Sequence, residues 1–275
     1  MSLDFKFPIT VTNNKKVLCG EFYNKHFIDL QKYIEHDDDQ LLGNHFDKLC
    51  HYLFQTEENL HAIDKFILLL KLRAQYIDPV LSFSSQGGNK QAIDINLIVE
   101  NVLEGYKPTV IKRDIGGMLF TLGTPTKLTK RNSVLDYINK IKLGDEEILL
   151  GNIDLEEKEK ILQNIPYNYI PLLKNAVKTI KQSPIVLFQL FEDGELKDNM
   201  FGFTGYEMFT FLKLCFSEGY EGLFYYVYIF TTKLNTSYTD FQKYTPIETK
   251  KIIKHFSKEM EEKNKSNQNL NIGGQ

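Results

Sequence analysis

Two short stretches, Phe5 to Val11 and Val17 to Phe22, flank Asn13-Asn14 near the start of the chain. Asparagine tolerates the left-handed backbone of a tight turn, so a β-hairpin is expected here. The apolar period then lengthens. Asn24 stands where a helix cap belongs, ahead of Phe27, Leu30 and Ile34 on one face. Leu42, Phe46, Leu49, Cys50 and Leu53 predict a second helix. A third, near residues 58–75, contains IDKFILLLKLRAQ and is apolar round most of its circumference. Such a helix normally lies at the centre of a core.

From Pro79 the pattern shortens again. Val80 to Ser84, a turn at Gln86-Gly87-Gly88-Asn89, and Gln91 to Ile95 predict a second hairpin. Val110-Ile111 and Met118 to Leu122 predict strands on either side of a Gly116-Gly117 turn, and helix is expected again over 133–141. The charged segment GDEEILLGNIDLEEKEK is expected to be a hinge or boundary.

Beyond it the chain reads as mainly helical. Tyr169, Leu172, Leu173, Ala176, Val177 and Ile180 form an amphipathic stripe ended by Ser183-Pro184. Ile185 to Phe191, a turn at Glu192-Asp193-Gly194, and the residues near Phe201 and Phe203 predict one more hairpin. Thr204 and Glu207 have capping-box spacing before Met208, Phe211, Leu212 and Cys215. Thr245-Pro246-Ile247-Glu248 opens a last helix carrying Ile252, Ile253, Phe256 and Met260. The expected fold class is α+β, with hairpins and helices mixed over 1–150, a mainly helical region over 151–265, and a disordered polar tail over 266–275. Both halves sharing one core is the alternative to separate domains.

Composition narrows the function classes. Apolar residues at 42% and charged residues at 25% describe a globular chain. A net charge of −3 gives no basic footprint for nucleic acid. The basic residues are nearly all lysine, with only Arg73, Arg113 and Arg131 able to grip phosphate in two-pronged fashion. Cys19, Cys50 and Cys215 are odd in number, far apart and in no CxxC pair, which argues against a disulfide framework or zinc site and suits a reducing compartment. The opening MSLDFKFPIT lacks a signal-peptide profile. The apolar run from Leu223 to Phe230 is far shorter than the roughly 20 residues of a membrane span. The chain is therefore expected to stay, soluble, in the compartment where it is made.

No pattern for chemistry emerges. GxSxG, a P-loop, GxGxxG and HExxH are absent from the sequence. Asp37-Asp38-Asp39 lacks the alternate ligands and central glycine of a calcium loop and reads as a solvated segment that helps start the next helix. His26, His36, His45, His51, His61 and His255 show no ligand spacing. Lysines from Lys250 to Lys265 are balanced by Glu248, Glu259, Glu261 and Glu262, as on a solvated helix face. No catalytic, cofactor or metal residue is expected.

Four stretches carry a resemblance. FPITVTNNKKVLCGEFYNKHFIDLQKYI, IDKFILLLKLRAQ with its Leu72-Arg73-Ala74, VLSFSSQGGNKQAIDINL and GGMLFTLGTPTKL resemble, in that order, the baseplate hub proteins of T-even-like contractile-tailed bacteriophages. The likeness spans roughly the first half of the chain; the second half matches in helical character and its TPIE helix start. Related hairpins carry cysteines where this chain has Phe83-Ser84-Ser85-Gln86-Gly87-Gly88, so no metal role carries over. The resemblance implies a non-enzymatic hub subunit or hub assembly factor. Its partners would be other baseplate or tail proteins, with neither nucleic acid nor membrane, in the host cytoplasm during assembly and in the virion tail if retained. An enzyme with an active site built from distant residues, and a bacterial cytosolic adaptor, are the other readings.

Docking work directs attention to aromatic residues. YEGLFYYVYIF covers every side of a helix with apolar residues, which requires burial by the chain's own core or by a partner. An internal core helix is the ordinary reading. The four tyrosines in this run, whose hydroxyls need polar contacts, favour an interface. The candidate partner-binding residues are Phe201, Phe203, Tyr206, Tyr225, Tyr226 and Tyr228.

Overall fold

The fold is α+β. The computed structural model describes residues 6–56, 60–84, 90–130, 133–150, 155–180, 185–192, 195–203, 205–217 and 220–272. The turns expected at 86–89 and 193–194, the helix stop at 183–184 and the cap at Thr204 lie outside the described residues.

Strands β1 (Phe7–Thr10) and β2 (Lys16–Cys19) form the first hairpin, turned by Asn13 and Asn14, both at φ 57°. Helices α1 (Asn24–Glu35) and α2 (Asp39–Leu53) follow, and β3 (Phe54–Gln55) returns to extend the sheet in the order β1-β2-β3. Asp38 caps α2, accepting from the N–H groups of Gln40 and Leu41. Helix α3 (Ala62–Tyr76) is buried on nearly all sides, as its composition predicts. Its first turn is pinned to the hairpin by buried Asp64, whose Oδ1 accepts from Thr12 N at 3.1 Å and Thr12 Oγ1 at 2.6 Å.

The hairpin β4 (Val80–Ser84) and β5 (Lys90–Asp94) leads into α4 (Ile95–Gly105), capped by Asp94. An antiparallel meander then runs β6 (Ile111–Ile115), β7 (Met118–Leu122), β8 (Ile138–Leu143) and β9 (Glu146–Leu149). Gly116 and Gly117 turn the first connection at φ 61° and 82°. Helices α5 (Leu155–Gln163) and α6 (Ile170–Val177), the hairpin β10 (Ile185–Glu192) with β11 (Glu195–Gly202), and helices α7 (Gly205–Phe216), α8 (Tyr220–Thr232), α9 (Tyr238–Phe241) and α10 (Pro246–Ile272) complete the chain.

Several expectations are corrected. The helix expected over 133–141 is a 3-10 turn, Val134–Tyr137, running into β8. The register steps from Leu122↔Ile138 to Thr121↔Lys140, so Asn139 is an extra, bulged residue. The bulge puts buried Ile138 and Ile141 on one face of the sheet, and three-residue spacing imitates a helix. The segment expected to be a hinge begins instead as a hairpin arm, with Gly144 turning at φ 59° into β9. Asn24 is the first residue of α1 rather than its cap; its buried side chain donates to Phe241 O at 3.0 Å and Thr249 Oγ1 at 2.7 Å. Leu172, placed on the buried stripe, is 52% exposed. The tail expected to be disordered continues α10 as far as Ile272. Once the Thr245–Glu248 box has started the helix, propagation adds one bond per residue fixed.

The buried side chains gather in two clusters that a cut near residue 150 does not separate. The larger joins β1 to α4 with α7, α8 and α9: Phe22 meets Phe216, Phe46 meets Phe209, and Phe66 meets Phe203. The smaller packs the meander against α5 and α6 through Phe120, Ile141, Leu150, Leu162 and Leu173. The segment between β7 and β8 ties the two together. Pro125 O accepts from Ala62 N at 2.7 Å, and Leu128 is buried in the larger cluster. Gly43 makes room for that segment, since a Cβ there would lie 2.8 Å from Leu128 O.

Candidate interaction surface

Helix α8 is amphipathic by position although not by composition. Leu223, Tyr226, Val227 and Phe230 turn toward the larger core, where the Phe230 ring meets Phe241 edge-on at 5.1 Å and Tyr244 at 5.4 Å. The other side is left to solvent: Phe224 is 57%, Tyr225 53% and Tyr228 52% exposed. Spacings of three and four residues place these rings together on one side of the helix. The helix is therefore not buried on all sides by its own chain.

The six candidate residues divide accordingly. Tyr225 and Tyr228 are exposed side by side. Tyr226 is half-buried, its ring 6.3 Å from that of Tyr225. Tyr206 is exposed on α7, with the Lys130 ammonium 5.4 Å from its ring centroid. Phe203 is a correction: at 1% exposure it is wedged between Phe66 and Phe211, because the chain turns inward from β11 to α7. Phe201 lies in β11 opposite Val186, and its side chain is outside the described ones. Phe224 is an exposed ring that the six omit; its four-residue spacing from Tyr228 is the signal that could have found it.

Lys130 also joins Tyr206 to the acidic run. Its Nζ lies 2.6 Å from Asp39, and Lys213 of α7 contacts both Asp39, at 3.6 Å, and Asp37. The Lys213 hydrogen bond and charge hold the Asp37 carboxyl below the usual carboxylate range. The aspartates thus connect the start of α2 to α7.

Chemistry elsewhere is muted by burial. All three cysteines are free and buried, and desolvation pushes the thiols of Cys19 and Cys215 up to about 12, far from the reactive range. His26 on α1 and His45 on α2 each bury Nε2 without a hydrogen-bond partner. Burial pulls His26 down to about 4 and lowers His45 as well. Among the described residues no three metal-ligating side chains gather, and no helix is long and apolar enough to cross a membrane. No protein-family model, curated protein or solved structure matches the chain.

Proposed function

We propose that this chain is a non-enzymatic component of a contractile-tail baseplate hub, either a structural subunit or an assembly factor, working through protein–protein contacts. The observation that carries the docking role is the exposed aromatic side of α8: Phe224, Tyr225 and Tyr228. Aromatic rings are enriched at the centres of interfaces, and tyrosine suits an edge that is partly wet. At half exposure, three such rings offer roughly 250–350 Å². A standard interface takes about 800 Å² from each partner, so the three rings form its centre and neighbouring surface the rest. The hub setting rests on the resemblance of the first half of the chain.

The test is co-purification from cells expressing the chain with neighbouring tail proteins, followed by mass spectrometry of soluble complexes and finished particles. Recovery in both makes it a structural subunit. Recovery in soluble hub complexes alone makes it an assembly factor. If no tail protein is bound, the reading fails.

A further inference from the structure

We propose that the outer edge of β1 is a second docking surface, which takes an extended, acid-bearing segment of a partner protein as an added strand. The claim does not depend on whether that partner belongs to a phage tail.

The backbone phase comes first. Val11 N–H donates to Lys15 O at 2.9 Å across the hairpin. Antiparallel pairs alternate between bonded and non-bonded. With Thr10 opposite Lys16, Ile9 opposite Val17 and Pro8 opposite Leu18, the polar groups of Ile9 face β2 and those of Thr10 and Pro8 face away. The other side of the sheet has the same phase, since Gly20 N–H donates to Leu53 O toward β3 at 2.8 Å. Pro8 therefore stands where the ladder to β2 needs no donor. Among the described residues no strand pairs with this outer edge, which offers the Thr10 N–H and two carbonyls.

A groove of about 540 Å³ runs along this edge. All four residues of β1 line it although their side chains alternate in direction, so it follows the strand's edge rather than one face. Ala74 and Gln75 of α3, with Leu103 of α4, help form the opposite wall. Lys71 is the one charged residue among the described lining residues, and its Nζ donates to Asn96 Oδ1 at 2.9 Å. The nearby carboxylates of Asp78 and Asp94 accept from the N–H groups of Val80 and Asn96 instead.

These features select the occupant. Pairing with a second copy of β1 would set a proline where each strand needs a donor, and would bring two Lys71 ammonium groups to one groove. A partner strand that donates to Pro8 O, exchanges bonds with Thr10 and sets an Asp or Glu beside Lys71 meets every group on offer. Main-chain bonds then supply affinity and the lysine supplies selectivity.

The test selects a random decapeptide library on the full chain and measures the selected peptide by fluorescence anisotropy. The expected peptides carry an acidic residue between β-branched or aromatic ones. Lys71→Gln should weaken binding about tenfold, with Lys71→Arg retaining most of it. Thr10→Pro, which removes the outward N–H and no bond to β2, should weaken it to a similar extent. A peptide N-methylated opposite Thr10 should bind poorly to the unaltered chain, a readout that no folding defect can affect. The proposal is overturned if no peptide is selected, if N-methylation has no effect, or if binding survives Lys71→Gln and is lost on changing Tyr225 and Tyr228.

Discussion

Arg73 Nε donates to the carbonyl oxygen of Cys215 at 2.7 Å, joining the end of α3 to the end of α7 across 142 residues of sequence. The same guanidinium donates to Asp78 O, and Gln31 donates to Phe216 O beside it. Helix ends carry carbonyls with no partner in the helix. Here two buried side chains from the first half of the chain satisfy the last carbonyls of a helix from the second. Arg73 is thus a structural fastener, and the Leu-Arg-Ala sequence at the end of α3 is a packing motif.

Replacing Arg73 with Met should leave the buried Cys215 carbonyl without its donor. The expected loss is about 1–3 kcal/mol, read as a lower urea midpoint with unchanged slope. Lysine reaches one carbonyl at best, so Arg73→Lys should recover only part of the loss.

Acid should loosen the contact between α1 and α2. Burial lowers both His26 and His45 in the folded chain, so below the unfolded histidine value the unfolded state binds more protons, for His26 down to about 4. Their contribution is fully present above roughly pH 6.5 and falls as pH drops below it, that of His26 being lost as pH nears 4. The His26 ring is partly exposed, so its share of the loss, discounted for solvent, should be about 1–2 kcal/mol. Urea midpoints measured at half-unit steps check it, and His26→Gln should flatten the profile.

A side chain at Gly43 should push apart the segment that ties the two hydrophobic clusters. Gly43→Ala gains helix propensity but sets its Cβ 2.8 Å from the backbone oxygen of Leu128. Overpacking of this kind costs about 1–3 kcal/mol against a gain near 1 for helix propensity, so the variant should be less stable than the parent by thermal unfolding.

What could be read in advance was local. Asn13-Asn14 and Gly116-Gly117 announce turns because their backbone angles need those residues. The apolar circumference of α3 announces a central helix without knowledge of its neighbours. Features that depend on distant packing were hidden. One extra residue at Asn139 made a strand look helical. Asn24 has the chemistry of a cap, but a chain segment more than 200 residues away claims its side chain. Phe203 and Tyr225 are alike in sequence terms; only the placement of the core buries one and exposes the other. For the same reason composition could mark α8 as aromatic without saying which of its sides meets solvent.

The aromatic side of α8 should matter for binding and hardly at all for folding. Exposed substitutions usually change stability by no more than about 0.5 kcal/mol each, whereas interface anchors cost about 2 kcal/mol or more in binding. Tyr225→Ala with Tyr228→Ala should therefore leave the melting temperature nearly unchanged.

The most direct measurement is a calorimetric titration of the chain, and of this double variant, with the tail protein that co-purifies with it. An affinity loss of about a hundredfold or more, with folding intact, is the predicted result. Equal affinity for the parent and the variant would contradict the assignment of α8 as the docking surface.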